Sequence, residues 1–292
     1  MKLQFFTEQT IALVYKVKMS LYSLEDNHED ILGKAMRGLG IGKNEMASRL
    51  QCKKSEVEAI LSGGVDESLI SGIAKELNLD AEKLLRSARK EWCPAPLSIN
   101  CLKQFNLPFG DMLVNVFVAW DKNSRNAWIF DTGPIAEPIL TFIQEQELSV
   151  DAIFLTHTHR DHIACLEKLM AGSGNPSVYV HELESLSECD SIVEGFEYTC
   201  GQLSLKSLHT HGHALGGMTY VIDRLDRPIA IVGDAIFAGS MGGGMVSYQD
   251  ALRTNREKIM TLSDGTVFCP GHGPMTTVGE EKKNNPFFPE FS

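Results

Sequence analysis

The hexapeptide His157-Thr158-His159-Arg160-Asp161-His162 packs three imidazoles and a carboxylate into one short turn, a density of donor groups with little structural purpose unless it grips a cation. The apolar run Val150 to Thr156 before it reads as a buried strand, and Ile163 to Met170 after it as the start of a helix. The turn therefore sits at a strand's C-terminal end. There His157 and His159, two residues apart, point the same way, while Asp161 and His162 reach a neighbouring position. Imidazole nitrogen and carboxylate oxygen suit zinc, and also iron or manganese. Two clusters of donors imply two ions.

One turn cannot complete such a site, so further donors are expected downstream. His213 lies in His209-Thr210-His211-Gly212-His213, after the strand-like Leu203 to Leu208. Asp234 ends the apolar run Pro228 to Val232, and His272 follows Val267 to Cys269 in Cys269-Pro270-Gly271-His272-Gly273-Pro274. Each donor falls just past an expected strand, with glycine beside it to let the backbone approach closely.

The series His-x-His-x-Asp-His, Gly-His-x-x-Gly, Gly-Asp and Pro-Gly-His-Gly-Pro, in that order, resembles the metallo-β-lactamase superfamily. Gly233 to Ser240 and the tail Pro270 to Phe287 resemble its short, glyoxalase II-like bacterial hydrolases. The likeness covers roughly residues 97 to 288. It implies an α/β fold, a four-layer αββα sandwich with a dinuclear zinc centre at one edge. Carried across by motif, His157, His159 and His213 hold one metal, Asp161, His162 and His272 hold the other, and Asp234 bridges them. Two zinc ions per chain are implied, with iron or manganese as alternatives.

The chemistry implied is hydrolysis by a metal-bound hydroxide. Two divalent ions against two carboxylates and a hydroxide leave such a centre positive by about one unit, because neutral imidazoles add nothing. One ion lowers the pKa of its water to about 7, and the other polarises the scissile carbonyl. Asp161 and Asp234 are the catalytic candidates, with Asp161 placed to orient the nucleophile. Asp131, in Ile129-Phe130-Asp131-Thr132-Gly133, resembles the carboxylate that supports the ligands from behind. The remaining histidines carry no such pattern. His28 and His181 read as structural, His209 as a non-ligand, and His211 as a solvated side chain.

Seven cysteines, odd in number and without Cys-x-x-Cys spacing, suggest neither a disulfide framework nor a zinc ribbon. No apolar run approaches the roughly 20 residues of a membrane helix. The start, Met1 to Lys18, shows no cleavable signal, and Met19 is an alternative start; a cytoplasmic protein with no membrane association is expected. The net charge of −11 argues against a polyanionic substrate.

Ahead of the hydrolase-like part, and after an N-terminal extension over 1–28, residues 29–92 show apolar positions at helical spacing: Ile31, Leu32, Ala35, Met36, then Met46, Ala47, Leu50, then Val57, Ile60, Leu61, then Leu69, Ile73, Ala74, Leu77. A small N-terminal all-α domain is expected. Gly-Ile-Gly-Lys-Asn-Glu-Met-Ala-Ser-Arg-Leu and the stretches that follow it resemble a helix-turn-helix domain of the Xre/Cro type. Between Glu29 and Trp92, however, 11 basic residues face 11 acidic ones, where a DNA reader carries a basic face. A helical accessory that dimerises, covers the site or meets a protein partner is expected in place of a DNA reader. Trp92 to Pro96 reads as a stiff linker to a hydrolase domain over 97–288.

The expected substrate is a small acyl thioester or ester. The stretch Gly239-Ser240-Met241-Gly242-Gly243-Gly244-Met245 lacks the arginine common in short glyoxalase II relatives, so glutathione recognition is not implied; Tyr248, Arg253 and Arg256 are the candidate contacts. Two alternatives stand beside the hydrolase. One is an iron-dependent persulfide dioxygenase using His157, His213 and Asp234. The other is a DNA-binding regulator sensing a metal or metabolite.

Overall fold

The computed structural model describes residues 24–184 and 186–291. Most of the expected N-terminal extension, including the absent signal and the start at Met19, lies outside the described residues. From residue 28 the chain forms helices α1 (His28–Leu39), α2 (Lys43–Arg49), α3 (Lys54–Ile60), α4 (Glu67–Glu76) and α5 (Ala81–Ala88). Side-chain caps start the last two: Asp66 accepts from Leu69 N–H and Asp80 from Lys83 N–H, each satisfying a donor with no partner inside the helix. Gly40 at φ +67° stops α1, its N–H and that of Ile41 returning to Arg37 O and Met36 O.

Two six-stranded sheets follow. The first runs in order β1 (Leu102–Phe109), β2 (Met112–Trp120), β3 (Asn126–Phe130), β4 (Ser149–Phe154), β5 (Ser177–His181) and β6 (Asp190–Ile192), antiparallel up to β3 and parallel from there. The second contains β7 (Glu197–Cys200), β8 (Leu203–His209), β9 (Met218–Asp223), β10 (Ile229–Gly233), β11 (Val267–Pro270) and β12 (Thr276–Thr277), with only β10 and β11 parallel. The inner strands β2 and β3 are buried on both faces, which is why they read as near-continuous apolar runs. Along β2, Val114, Val116 and Val118 face α6 (Glu137–Glu145) and α8 (Leu166–Gly172), while Phe117 and Ala119 face the second sheet. Between α6 and α8 lies the single turn α7 (Arg160–Ile163). Trp128, Phe130, Phe154 and Tyr220 fill the space between the sheets. On the far side α9 (Tyr248–Thr254) and α10 (Val278–Asn284) cover Ala230, Val232 and Phe268, completing an αββα sandwich.

The N-terminal helices do not bury their apolar stripes only against one another. Ile31, Leu32, Met36, Ile73 and Leu84 belong to the same core as Tyr248, Leu252, Phe287 and Phe288. Lys83, itself buried, donates from Nζ to Lys282 O at 2.8 Å and Phe288 O at 2.9 Å. The Trp92 stretch is pinned to the sandwich, with Nε1 donating to Glu280 at 2.8 Å. The helical stretch that begins at Tyr248 is two pieces: α9 ends at Thr254 and a π-helical turn, Asn255–Ile259, follows. Buried Asn255 sits at this junction and donates to Ala235 O at 2.7 Å, so a side chain tied to the Asp234 turn coincides with the break in the ladder. Among the described residues no helix is long and apolar enough to cross a membrane, and all seven cysteines are free thiols.

Candidate metal centre

Four loops at one edge of the sandwich bring all seven sequence-predicted donors together. The turn after β4 carries His157, His159, Asp161 and His162; the loop after β8 carries His213; Asp234 follows β10 and His272 follows β11. Three donor groups result, each with its donor atoms within 4.8 Å of one another: His157, His159 and His213; His157, His162 and Asp234; Asp161, His162 and His272. Asp234 spans the two sides, with Oδ1 at 3.4 Å from His162 Nε2 and Oδ2 at 3.4 Å from His213 Nε2 and 3.6 Å from His272 Nε2. His272 Nε2 lies 3.2 Å from Asp161 Oδ2. Tetrahedral bonds of about 2.0–2.1 Å place neighbouring donors about 3.3 Å apart, so these spacings suit a shared cation.

Nearly every imidazole is held from behind, leaving its other nitrogen turned inward. His162 Nδ1 meets Asp131 Oδ2 at 2.8 Å, His157 Nδ1 meets Thr156 Oγ1 at 3.1 Å, His213 Nδ1 meets Gly243 O at 2.8 Å, and His272 Nδ1 meets Leu113 O at 2.7 Å. Such bonds set ring orientation and tautomer. Asp131 is the hub of this arrangement, since it also accepts from Thr156 N–H at 2.7 Å and Thr156 Oγ1–H at 2.8 Å. It holds φ +58°, a left-handed conformation that Asp tolerates better than most residues. The inward atoms His157 Nε2, His162 Nε2 and Asp234 Oδ1 are buried without any hydrogen-bond partner. Buried polar atoms are rarely left so. Three that converge on one point are the mark of a cation site, and the donor set fits a divalent metal.

Without a cation the electrostatics are polarised. Burial works to raise the Asp234 carboxyl, but the charges of His272, His162 and His213 outweigh it and hold it well below the usual carboxylate range. Burial would depress His162, yet Asp131 and Asp234 lift it well above an ordinary imidazole. Buried His157, repelled by His162, drops well below.

Gly271 shows why no side chain interrupts this packing. A Cβ there would strike Asp234 Oδ1 and come within 2.7 Å of His162 Cε1.

Of the other sequence candidates, none supplies a free cation to the site. Tyr248 is buried against Gly38 and Phe287. Arg253 pairs with Asp250 and Glu257, and Arg256 with Glu290 and Phe287 O. His28 is buried and bonded to Gly64 O, in keeping with a structural role. His211, expected to be solvated, is partly buried under the His209 ring, 4.4 Å between centroids, with Nδ1 enclosed and unpartnered. Its neighbour His209 bonds Leu215 O and stacks on His181 at 4.2 Å; tertiary stacking overrides the polarity of this stretch.

Sequence reasoning missed two residues that assemble the site. Asn115 on β2 donates from Nδ2 to Pro270 O and Gly273 O, both at 2.8 Å, and its N–H bonds Gly271 O at 2.7 Å, so the first sheet grips the loop of His272. A lone amide in the apolar run Val114-Asn115-Val116 was the available signal. Glu184 accepts from Thr158 N–H at 3.1 Å and Gly216 N–H at 3.0 Å, tying the 157–162 turn to the His213 loop; nothing local in the sequence marks it.

The Lactamase_B family, described as the metallo-beta-lactamase superfamily, matches residues 109–188. The chain is 30% identical over 217 residues to the "Probable metallo-hydrolase YqgX" of Bacillus subtilis, covering 65% of this chain and all of that protein. The chain belongs to the metallo-beta-lactamase superfamily. Another relative, "Hydroxyacylglutathione hydrolase GloC" of Haemophilus influenzae, is 28% identical over 199 residues, 59% of this chain and 92% of its own length. Among solved structures, the BLEG-1 B3 metallo-beta-lactamase superposes with a TM-score of 0.57 at 28% identity, covering 64% of this chain and 98% of its own. Membership in the metallo-beta-lactamase superfamily implies a divalent metal at the His and Asp cluster described above.

Proposed function

We propose that this protein is a hydrolase of small acyl thioesters or esters that works with two divalent ions, zinc being the preferred pair. The observation that carries the reading is the convergence of five imidazoles and two carboxylates into overlapping donor groups around three unpartnered buried atoms. In this reading His157, His159 and His213 hold one ion, Asp161, His162 and His272 hold the other, and Asp234 joins them. When bound, such a pair activates a water as nucleophile and polarises the carbonyl under attack.

The chain's own residues do the rest. Asp131, Leu113 O and Gly243 O keep three rings in the tautomer that turns Nε2 inward. Asp161, with its side chain 12% exposed, is the carboxylate able to accept a hydrogen bond from the attacking water and hold it in line. A thiolate leaving group, its thiol near pKa 8.5, departs without a strong acid to protonate it, which suits a site whose imidazoles are engaged elsewhere. Leu215, Met245 and Val246, on the loops beside His213, are exposed apolar side chains suited to an uncharged acyl arm. Hydroxyacylglutathione, the compound that names the Haemophilus hydrolase, is a thioester, which supports the thioester class.

A single-iron dioxygenase would need only His157, His213 and Asp234, leaving Asp161, His162 and His272 assembled without purpose. The helical layer reads best as an accessory that walls the site, because its apolar faces are committed to the sandwich. In the candidate DNA-reading helix, Glu56 caps the helix start and Glu58 pairs with Lys43 and Lys54.

Metal analysis of the purified protein, paired with turnover of a neutral acyl thioester, tests the proposal. Near two equivalents of metal with thioester hydrolysis are expected, and His272→Ala should lose about one equivalent together with most of the activity. One iron with oxygen consumption on a persulfide would replace this reading.

A further inference from the structure

The His272 side of the centre is bounded by a segment from the N-terminal part of the chain, residues 24–34. Gly273, immediately after His272, has φ +73°, and a side chain on it would meet Glu25 N at 3.2 Å and Glu25 Cβ at 3.3 Å. Glu25 thus abuts the loop that carries a donor histidine. Nearby, Asp26 pairs with Lys34, whose Nζ also donates to Met241 O at 2.8 Å. The Lys34 ammonium lies 4.9 Å from the Phe237 ring, and that ring meets the His272 ring at 5.7 Å. This wall therefore holds two carboxylates and one ammonium, and the ammonium is taken up by Asp26 and a carbonyl.

Glu25 is left over. It is partly buried, it feels the charges of His272, Asp26, Lys34 and Asp234, and it makes no hydrogen bond or ion pair with the described residues. It also belongs to none of the three donor groups. A carboxylate shielded from water and without a direct partner is unfavourable unless a positive group comes to it. Beside a reaction centre, the group that arrives is the substrate.

We propose that Glu25 is a specificity-determining residue that selects substrates bearing a protonated amine, so that the acyl thioester or ester carries an ammonium on one of its arms. This rests on the hydrolase reading above and names the class of compound the site prefers. It also assigns the N-terminal segment a task at the centre: it supplies the charge that discriminates.

Equilibrium binding separates this proposal from the reaction itself. The probes are two stable thioethers of equal length, S-butyl cysteamine with an ammonium and S-butyl mercaptoethanol with a hydroxyl, titrated calorimetrically into the full-length, metal-loaded protein at pH 7. The ammonium compound is expected to bind about tenfold tighter, the effect of one partly desolvated charge pair. Glu25→Gln should bring the two affinities together, Glu25→Lys should make the hydroxyl compound the better ligand, and added salt should shrink the wild-type preference. Equal affinities in the wild type, no binding of either compound, or a preference that survives Glu25→Gln within twofold would overturn the proposal. Metal content of Glu25→Gln excludes a role limited to balancing the ions: loss of metal with the preference intact also overturns it. Turnover of a neutral thioester is scored apart, so a protein that binds the ammonium through Glu25 yet hydrolyses no thioester keeps this inference and loses the proposed reaction.

Discussion

Asp131→Asn is the sharpest perturbation of the centre, because it changes one atom and no volume. Asp131 Oδ1 accepts from Thr156 N–H at 2.7 Å, while Oδ2 accepts from Thr156 Oγ1 and His162 Nδ1, both at 2.8 Å. An amide cannot accept at both ends. With its NH2 toward the Thr156 N–H, two donors would face each other, so the amide turns that group to His162. His162 must then accept at Nδ1 and carry its proton on Nε2, the buried atom that faces Asp161 and Asp234 at 3.5 and 3.4 Å. That proton occupies the lone pair a cation would need. Loss of one such supporting contact typically costs about 10–100-fold in metal affinity, or about 1.4–2.7 kcal/mol. Competition titration against a chromophoric chelator measures this, with far-UV circular dichroism as the check on folding. A folded Asp131→Asn protein that keeps its full metal content and an affinity within twofold of wild type would refute the tautomer argument.

Other consequences follow from the packing. Gly271→Ala drives a methyl into Asp234 Oδ1 and the His162 ring, so metal content should fall by at least half while the unfolding midpoint shifts less than for a core deletion; full metal occupancy would contradict the close approach. Lys83→Met removes two charge-assisted bonds to Lys282 O and Phe288 O, and urea unfolding should report a loss of about 2–4 kcal/mol; no change would mean the helical layer is not anchored there. Buried Glu281 accepts from Thr276 Oγ1–H, Gly239 N–H and Asn285 Nδ2–H, and burial pushes its carboxyl from 4.5 up to about 7. A folded pKa above the unfolded one means stability is fullest below pH 4.5 and declines as pH rises to about 7. At about 1.4 kcal/mol per tenfold change in protonation, this contribution is about 3 kcal/mol. Subtracting the Glu281→Gln stability profile from that of wild type should isolate this slope, and parallel profiles would show that Glu281 titrates normally.

The clustering of the His and Asp side chains was legible in the chain because a metal-site pattern depends on residue type and spacing, both of which are local. His157 to His162, His213, Asp234 and His272 each end an apolar run beside a turn, and the backbone after a buried strand has one place to deliver its side chain: the sheet's edge. The sandwich was legible for a similar reason, since doubly buried strands such as β2 and β10 leave continuous apolar runs. The helical stripes of residues 29–92 were equally visible, but what they cover was not. An amphipathic helix announces that it has an apolar face and is silent about its partner, so the shared core of Ile31 and Leu84 with Phe287 and Phe288 emerged only in the tertiary structure. The same holds for Asn115 gripping the His272 loop, Glu184 bridging the 157–162 turn and the His213 loop, and Glu25 standing beside Gly273 across some 250 residues of chain. Contacts between residues so far apart are set by how layers stack and where loops cross, and no window of sequence contains both partners.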